Sequence, residues 1–338
     1  MQSTLLVDVL DVGQGDAILL RSSEGKVVLI DGGTGAEPLI SELKARKLSR
    51  IDLMIATHPH SDHIGGLDDV FEEYRVGMFI DSGDTHTSRA YERLMDAVES
   101  EGARYMTAAS GKSFNLGEDV KIELLGPPTP RLEEGDSRSH LNANSVIARV
   151  THGNNCFLFT GDAEDETEER LLREQIAPCA VLKVAHHGSS HSTSQAWLDA
   201  VQPTTALISV GEGNSYGHPT DETLGRLKAA GAAIYRTDIH GTIQLESNGA
   251  SVSVRTGGET ANTPPRTVPR VVGGDKVDIN SASADALDAL PGIGPKYAQA
   301  IVDHRRAHGP FASCDDLTKI SGIGAKTVDK VRPRCTAR

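Results

Sequence analysis

His58-Pro59-His60-Ser61-Asp62-His63 follows directly on the apolar run Ile51-Asp52-Leu53-Met54-Ile55-Ala56 and packs three imidazoles and a carboxylate into six residues. Folding alone does not call for that density, because every buried His or Asp must find a partner or cost stability. An apolar run of this length reads as a strand that delivers the chain to a sheet edge. The loop beyond it can then aim two ligand pairs at two neighbouring points. Imidazole with carboxylate suits zinc, with manganese or iron as further options. Two divalent ions about 3.5–4 Å apart are the usual apparatus for cleaving phosphate esters and amides with water.

Two ions need more than four ligands, and three other tracts offer them. Lys26-Val-Val-Leu-Ile-Asp31-Gly32-Gly33, Cys156-Phe-Leu-Phe-Thr160-Gly161-Asp162 and Val181-Leu-Lys-Val-Ala-His186-His187-Gly188-Ser189 each end an apolar run in an acid or in paired imidazoles. Strand exits are where open sheets collect their site residues. Taken singly these signals are weak. An Asp before two glycines is a common turn residue, Thr-Gly-Asp recurs without function, and His218 beside Pro219 could simply close a turn. His86, His152, His191, His240, His304 and His308 read as solvated or helix-capping.

Taken in order, the motifs resemble the metallo-β-lactamase family over residues 1–255. The resemblance implies an α/β (α+β) four-layer αββα sandwich with metals at one edge of its two sheets. Asp11-Val-Gly13-Gln14-Gly15-Asp16, His186-His187-Gly188-Ser189-Ser190 and Tyr216-Gly217-His218-Pro219 narrow the likeness to the hydrolase domain of the ComEC competence family. Carried over by position, His58 and His60 would bind a first metal, Asp62 and His63 a second, and Asp162 would bridge them. His187 is preferred to His186 for completing the second site. The other imidazole would then face a substrate phosphate. Asp31 would orient the metal loop from behind, with Asp16 and Gln14 on the same edge. Asp62, His186 and His218 are the catalytic candidates, His218 by contacting a phosphate oxygen or protonating a leaving group. Relatives supply a third His to the first metal. Here that region reads Ser139-His140-Leu-Asn142-Ala-Asn144-Ser145, and Asn142 and Ser145 match the competence-family form. His140 is either the missing ligand or an exposed loop residue; if it is not a ligand, the first metal is held less tightly.

The chain has 338 residues, a net charge of −13 and a single tryptophan, Trp197. Its length exceeds what one core usually serves, so two domains are expected. Cys156, Cys179, Cys314 and Cys335 form no CxxC pair, and the expectation is neither a disulfide framework nor a cysteine metal site, with Cys156 a small buried hydrophobe. No apolar segment approaches the ~20 residues that cross a bilayer, and no secretory signal is visible. The default expectation is cytoplasmic, or extracytoplasmic if the chain is a fragment or is exported by another route. Residues 256–276, beginning TGGETANTPPRTVPRVVGGD, read as a Gly/Pro/Thr-rich linker that is mostly solvated.

Beyond the linker, Leu290-Pro-Gly292-Ile293-Gly294-Pro-Lys296 and Ile320-Ser-Gly322-Ile323-Gly324-Ala-Lys326 repeat one pattern thirty residues apart. Short helical stretches, 284–290 and 314–320, precede the turns, and helices at 297–308 and 327–331 follow them. Glycines let the backbone bend and approach a ligand, and the next helix offers free N–H groups to an anion. The pair resembles the tandem helix-hairpin-helix module of the ComEA family over residues 277–338. The resemblance implies that the amides of Gly292, Ile293, Gly294, Gly322, Ile323 and Gly324 bind DNA phosphates without reading sequence, with Lys296 and Lys326 adding charge.

This module carries nine basic against seven acidic residues, a balance of +2, and the linker three against two, leaving −16 for residues 1–255. An acidic catalytic part repels nucleic acid at long range, so the appended module would supply residence on DNA. The reading is a metal-dependent phosphodiesterase or nuclease acting on DNA with two zinc or manganese ions. Contact with DNA-uptake machinery is implied by the resemblance alone. A hydrolase of phosphocholine esters, lactones or thioesters, and a DNA-binding protein with a non-catalytic metal site, are the alternatives.

Overall fold

The structure is a computed structural model that describes residues 3–257, 266–268, 277–282, 284, 287 and 290–337. Sixteen strands lie in two large sheets among the described residues. One holds β1 (Leu5–Val9), β2 (Ile18–Ser22), β3 (Val27–Ile30), β4 (Leu53–Ile55), β5 (Met78–Asp81), β6 (Arg104–Thr107) and, on the other side of β1, β14 (Ile243–Ser247), β15 (Val252–Thr256) and β16 (Arg266–Val268). The other runs in order from β7 (Ser113–Asn115) through β8 (Val120–Leu124), β9 (Ala148–His152), β10 (Asn155–Phe159), β11 (Val181–Lys183) and β12 (Thr205–Ile208) to β13 (Ala233–Arg236).

Side-chain alternation along these strands builds the layers, since successive residues face opposite sides of a sheet. Ile18, Leu20, Val28, Ile30, Leu53 and Ile55 meet Phe157, Phe159, Val181 and Leu207 between the sheets. Leu19, Leu29, Met54 and Phe79 face the other way. They pack on α1 (Ala36–Ala45), α3 (Leu67–Glu73) and α4 (Arg89–Ser100), while the one-turn α2 (Ser61–Ile64) caps the sheet edge. On the second sheet Leu158, Leu182 and Ile208 pack on α6 (Asp165–Arg173), α7 (Gln195–Val201) and α8 (Asp221–Ala229), with Trp197 buried among them. The short helices α5 (His140–Ala143) and α9 (Thr237–His240) complete this part. Three apolar layers between four of secondary structure are the expected αββα sandwich.

Two parallel pairs position the site: β3 with β4 in one sheet and β10 with β11 in the other. Parallel neighbours end at the same edge, so Asp31, the His58–His63 loop, Asp162 and the His186-His187 turn emerge together. The last of these loops is anchored from below. Buried Glu168 on α6 accepts hydrogen bonds from the amides of Thr193 and Ser194, and the Ser194 hydroxyl caps α7.

The C-terminal residues form a separate apolar cluster whose members recur at thirty-residue spacing: Leu290 with Ile320, Ile293 with Ile323, Ala298 with Val328, and Ile301 with Val331. The helices that follow the two turns are α10 (Pro295–His308) and α11 (Ala325–Val331). A 3-10 helix, Cys314–Lys319, precedes the second turn; most of 284–290, expected to precede the first, lies outside the described residues. The hairpins pack reciprocally. A side chain at Gly322 would strike the Tyr297 hydroxyl at 2.7 Å and its ring at 2.8 Å, and one at Gly292 would press on Thr327 at 3.2 Å. Tyr297 and Thr327 are themselves thirty residues apart, so the two repeats are related by an approximate two-fold.

Several expectations need correction. The cysteines are paired, Cys156 with Cys179 and Cys314 with Cys335, and none is free. The pairing of β10 with β11, which sets Phe157 beside Val181, carries Cys156 to within 5.0 Å (Cα–Cα) of Cys179, a proximity that linear spacing does not reveal. Within the expected linker, Arg266–Val268 pairs with β15 as an edge strand; much of the remaining stretch lies outside the described residues. His152 is buried, not solvated, and bonds the hydroxyls of Ser247 and Ser3.

Thiol titration of the native chain is expected to find no reactive cysteine, and four after unfolding in reductant. Each cross-link closes a loop of about twenty residues and is worth ~3 kcal/mol by chain entropy. Burial pushes the Glu168 carboxyl up to about 7 against the hydrogen bonds that favour its ionised form. A raised carboxyl contributes stability that is complete below its unfolded value near 4.5 and is lost as pH rises through 7. Relative to Glu168→Gln, the wild type should therefore lose about 2–3 kcal/mol between pH 4.5 and 7.5. Denaturant titrations of both proteins across that range would show it, and a pH-independent difference would refute it.

Candidate metal centre

The His58–His63 loop is held in place before any ligand arrives. Asp31, leaving β3 with a left-handed backbone (φ 60°), accepts hydrogen bonds from the Thr57 amide and hydroxyl, both at 2.7 Å, and from His63 Nδ1 at 2.8 Å. With Nδ1 donating, the His63 Nε2 lone pair points forward, the arrangement a carboxylate imposes on a metal-binding imidazole. The Asp11–Asp16 loop lies against the other side. Gly15 approaches so closely that a Cβ there would fall 2.0 Å from the Asp62 carbonyl, and the Asp16 amide bonds that carbonyl.

His186, His187 and Gly188 have consecutive left-handed backbones, φ 48°, 52° and 87°. Such conformations cost about 1–3 kcal/mol at each non-glycine residue. The tight turn sends the two imidazoles apart. His187 donates Nδ1–H to the Ser209 carbonyl at 2.8 Å and turns Nε2 inward, 3.3 Å from Asp62 and 3.6 Å from Asp162. His186 stays a quarter exposed, with Nε2 3.7 Å from Asp162 and Nδ1 3.5 Å from Glu164.

Asp162 joins the whole. Its Oδ1 faces Nε2 of His63 at 3.2 Å and of His187 at 3.6 Å; its Oδ2 faces Nε2 of His58 at 3.9 Å and of His186 at 3.7 Å. Ser145 Oγ accepts from the Asp162 amide at 3.2 Å and lies 3.5 Å from His58 Nδ1. His58 Nε2 is 3.0 Å from His60 Nδ1. Asp62, His63, Asp162 and His187 can each bring a ligand atom within 4.8 Å of the others. Of these, Asp162 Oδ1, His63 Nε2 and His187 Nε2 are buried without any hydrogen-bond partner. Three orphaned polar atoms converging on a fourth ligand suit a divalent cation, which would satisfy all of them. His58, His60 and Asp162 Oδ2 form a second, looser set beside it.

Charge agrees with this geometry. Burial alone would neutralise His63 and His187, yet the surrounding carboxylates hold His63 well above the usual imidazole range and His187 up to about 9. Burial favours the neutral acid at Asp162 and Asp62, but both are held below the usual carboxylate range, chiefly by His63. The pocket thus draws cations. In the opposite sense, burial and the neighbouring His186 push His218 down to about 4, so that it is neutral near pH 7.

His140 opens α5 and is not among the residues that line this cavity. Asn142 instead reaches the cavity and donates to Glu164 at 3.0 Å. His86, expected to be solvated or capping, lines the cavity 6.1 Å from the His60 ring. Sequence reading missed Glu164 and Lys183. Lys183 is fully buried behind the ligands and paired with Asp16. A lone lysine inside the apolar run Val181–Ala185 was the available signal. At the C-terminal turns, the Ile293 and Ile323 amides are engaged by the carbonyls of Leu290 and Ile320. These internal bonds occupy two of the amides expected to meet DNA phosphates. The amides of Gly292, Gly294, Gly322 and Gly324 find no backbone acceptor among the described residues, and Lys296 and Lys326 are exposed beside them.

Fold and site define an αββα sandwich with a candidate metal centre at the common edge of its sheets, and comparison with known proteins agrees in the fold. The metallo-beta-lactamase superfamily matches residues 10–212, and the helix-hairpin-helix motif matches 272–336. The chain belongs to the metallo-beta-lactamase superfamily. It is 30% identical over 260 residues to ComE operon protein 3 of Bacillus subtilis, covering 70% of this chain and 32% of that protein. Its C-terminal part is 38% identical over 65 residues to ComE operon protein 1 of the same organism, covering 19% of this chain and 32% of that one. The chain therefore spans about a third of the curated relatives it matches. The diiron beta-hydroxylase CmlA from Streptomyces venezuelae shares the fold with TM-score 0.50 at 17% identity, over 72% of this chain and 54% of its own. Among the described residues no helix is long and apolar enough to cross a membrane.

Divalent ions should stabilise the chain. At a hundredfold excess over the dissociation constant the gain is about 2.7 kcal/mol. Thermal melts with and without chelator are expected to differ accordingly, and Asp162→Ala should erase the difference. A variant still stabilised as strongly as wild type would remove Asp162 from the centre.

Proposed function

We propose that the chain is a phosphodiesterase that hydrolyses DNA at this centre, using two zinc or manganese ions, and that residues 277–338 hold the DNA by its backbone. The observation that carries the reading is the union, in one chain, of a converging set of buried ligands on an open cavity and a tandem helix-hairpin-helix module. A small ester would need no DNA tether.

Asp62, His63, Asp162 and His187 would hold one ion. His58, His60 and the far oxygen of Asp162 would hold the other, more weakly because fewer donors converge there. When bound, the ions supply charge for the phosphoryl oxygens and a nucleophile from water at neutral pH. The chain's own groups do the rest. Asp31 and Ser145 keep the imidazoles and Asp162 oriented. Glu164, held by Asn142, steadies His186 at the cavity wall. His218, neutral near pH 7, offers an N–H to a phosphate oxygen without adding charge.

Another relative, of Neisseria gonorrhoeae, bears the name competence protein ComA, which supports DNA-uptake machinery as a fitting partner. The two disulfides favour an oxidising compartment, and with it the extracytoplasmic alternative. Residues 1–255, 256–276 and 277–338 would then be catalytic domain, linker and DNA-binding domain.

Full-length protein with Mn²⁺ or Zn²⁺ should cleave labelled oligonucleotides in preference to a lactone or a phosphocholine ester. Asp162→Ala or His60→Ala should lower the rate at least about a hundredfold while leaving DNA affinity nearly intact. Undiminished cleavage in both variants, or after chelation, would reject the mechanism. Faster turnover of the lactone or phosphocholine ester would reject the substrate. Lys296→Ala with Lys326→Ala should reduce the slope of log affinity against log salt by about 2, measured by fluorescence anisotropy. An unchanged slope would remove these lysines from the DNA contact.

A further inference from the structure

Tyr216 stands at the rim of the metal centre with two thirds of its surface open to water, although most large apolar side chains of the chain are covered. It lines the same cavity of about 310 Å³ as Asp62, Asp162 and His186. One face of its ring stacks on His218, centroids 6.0 Å apart at 26°, and His218 in turn meets His186 edge-on at 5.6 Å. The loop that carries it is fastened by a single side chain. Asn214 accepts from the amides of Tyr216 and His218 at 3.2 and 3.1 Å and donates to the carbonyls of His218 and Gly211 at 2.6 and 3.2 Å. The ring is therefore prebuilt in position, its backing made by residues of the site itself.

The cavity wall shows why such a ring is useful. Among the described residues its lining contains no lysine or arginine, and residues 1–255 carry a net charge of −16. Beyond bound ions and the imidazoles that would hold them, attraction for a polyanion near the reacting phosphate must come from something other than side-chain cations. An open aromatic face supplies it without charge, by stacking on the planar surface of a base. In a continuous duplex both faces of every base are covered by its neighbours. Only an unpaired nucleotide presents a face.

We propose that Tyr216 is a stacking platform for an unpaired nucleobase beside the phosphate at the metal centre, so that the chain selects DNA that is single-stranded there. This rests on the phosphodiesterase reading above and names its substrate more narrowly.

The test uses the full chain with Mn²⁺ and three labelled substrates: a single-stranded oligonucleotide, the same strand with abasic residues around the cleavage position, and the continuous duplex. Tyr216 is exposed, so Tyr216→Ala should fold, which circular dichroism checks. Stacking of one base corresponds to roughly a tenfold change. Tyr216→Ala should raise KM for the single strand about tenfold with kcat changed much less, and Tyr216→Phe should restore the wild-type value because the ring, not the hydroxyl, is in use. The wild-type KM for the abasic strand should rise to the level of Tyr216→Ala on the intact strand, and the duplex should be the poorest substrate. Cleavage of the single strand with equal KM by wild type and Tyr216→Ala, or a duplex KM as low as that of the single strand, overturns this inference alone. Absence of cleavage of any oligonucleotide by the wild type overturns the phosphodiesterase reading and this inference with it.

Discussion

The αββα part depends on the buried carboxylate of Asp162, whose two oxygens look in different directions at four imidazoles. A charge so deeply buried costs stability unless it is matched. The match is made by His63 and His187 at Oδ1, while His58, which burial keeps neutral, and His186 face Oδ2. Asp162 belongs to the second sheet and His58 and His63 to the first, so this convergence also ties the two halves of the sandwich at their common edge. Moving either sheet by the width of one side chain would leave acids and bases unpaired in the interior.

Behind that contact stands a second shell of constraint. Asp31 fixes the tautomer of His63 through Nδ1, the Ser209 carbonyl does the same for His187, and Lys183 neutralises Asp16 where solvent cannot. Each of these takes up the rear of a ligand and leaves its front unsatisfied. The strained turn at His186–Gly188 serves the same end, because only a left-handed run places adjacent imidazoles in different roles. Glu168 and the cap at Ser194 hold the loop that follows, so the cost of that backbone is offset by packing at a distance from the chemistry.

The C-terminal module follows another logic. Its core is small, and its stability rests on two similar hairpins filling each other's gaps, Gly322 receiving Tyr297 and Gly292 receiving Thr327, with a disulfide closing the end. Charge is divided between the parts: residues 1–255 are strongly acidic, whereas the module is mildly basic. An uncharged aromatic at the cavity rim and backbone amides at the hairpins would be two ways of holding a polyanion without a broad basic face.

Much was legible in the chain itself. Continuous apolar runs ending in Asp31, His58, Asp162 and the His186-His187 pair declared strands with polar groups at their exits, and the family resemblance implied that they share an edge. The thirty-residue repeat declared the hairpins, because only glycine suits those turns. What linear order could not decide was which groups meet across it. The handedness of one turn sets His187 Nε2 beside Asp62 and leaves His186 at the cavity wall, and folding leaves His140 outside the residues that line the cavity. The pairing of Cys156 with Cys179 came from the register of β10 on β11. Lys183 and Glu164 acquired meaning only once folding had buried one beside Asp16 and set the other against His186. Local pattern specifies elements and their ends, whereas partners of a buried charge are chosen by three-dimensional proximity, which sequence separation does not encode.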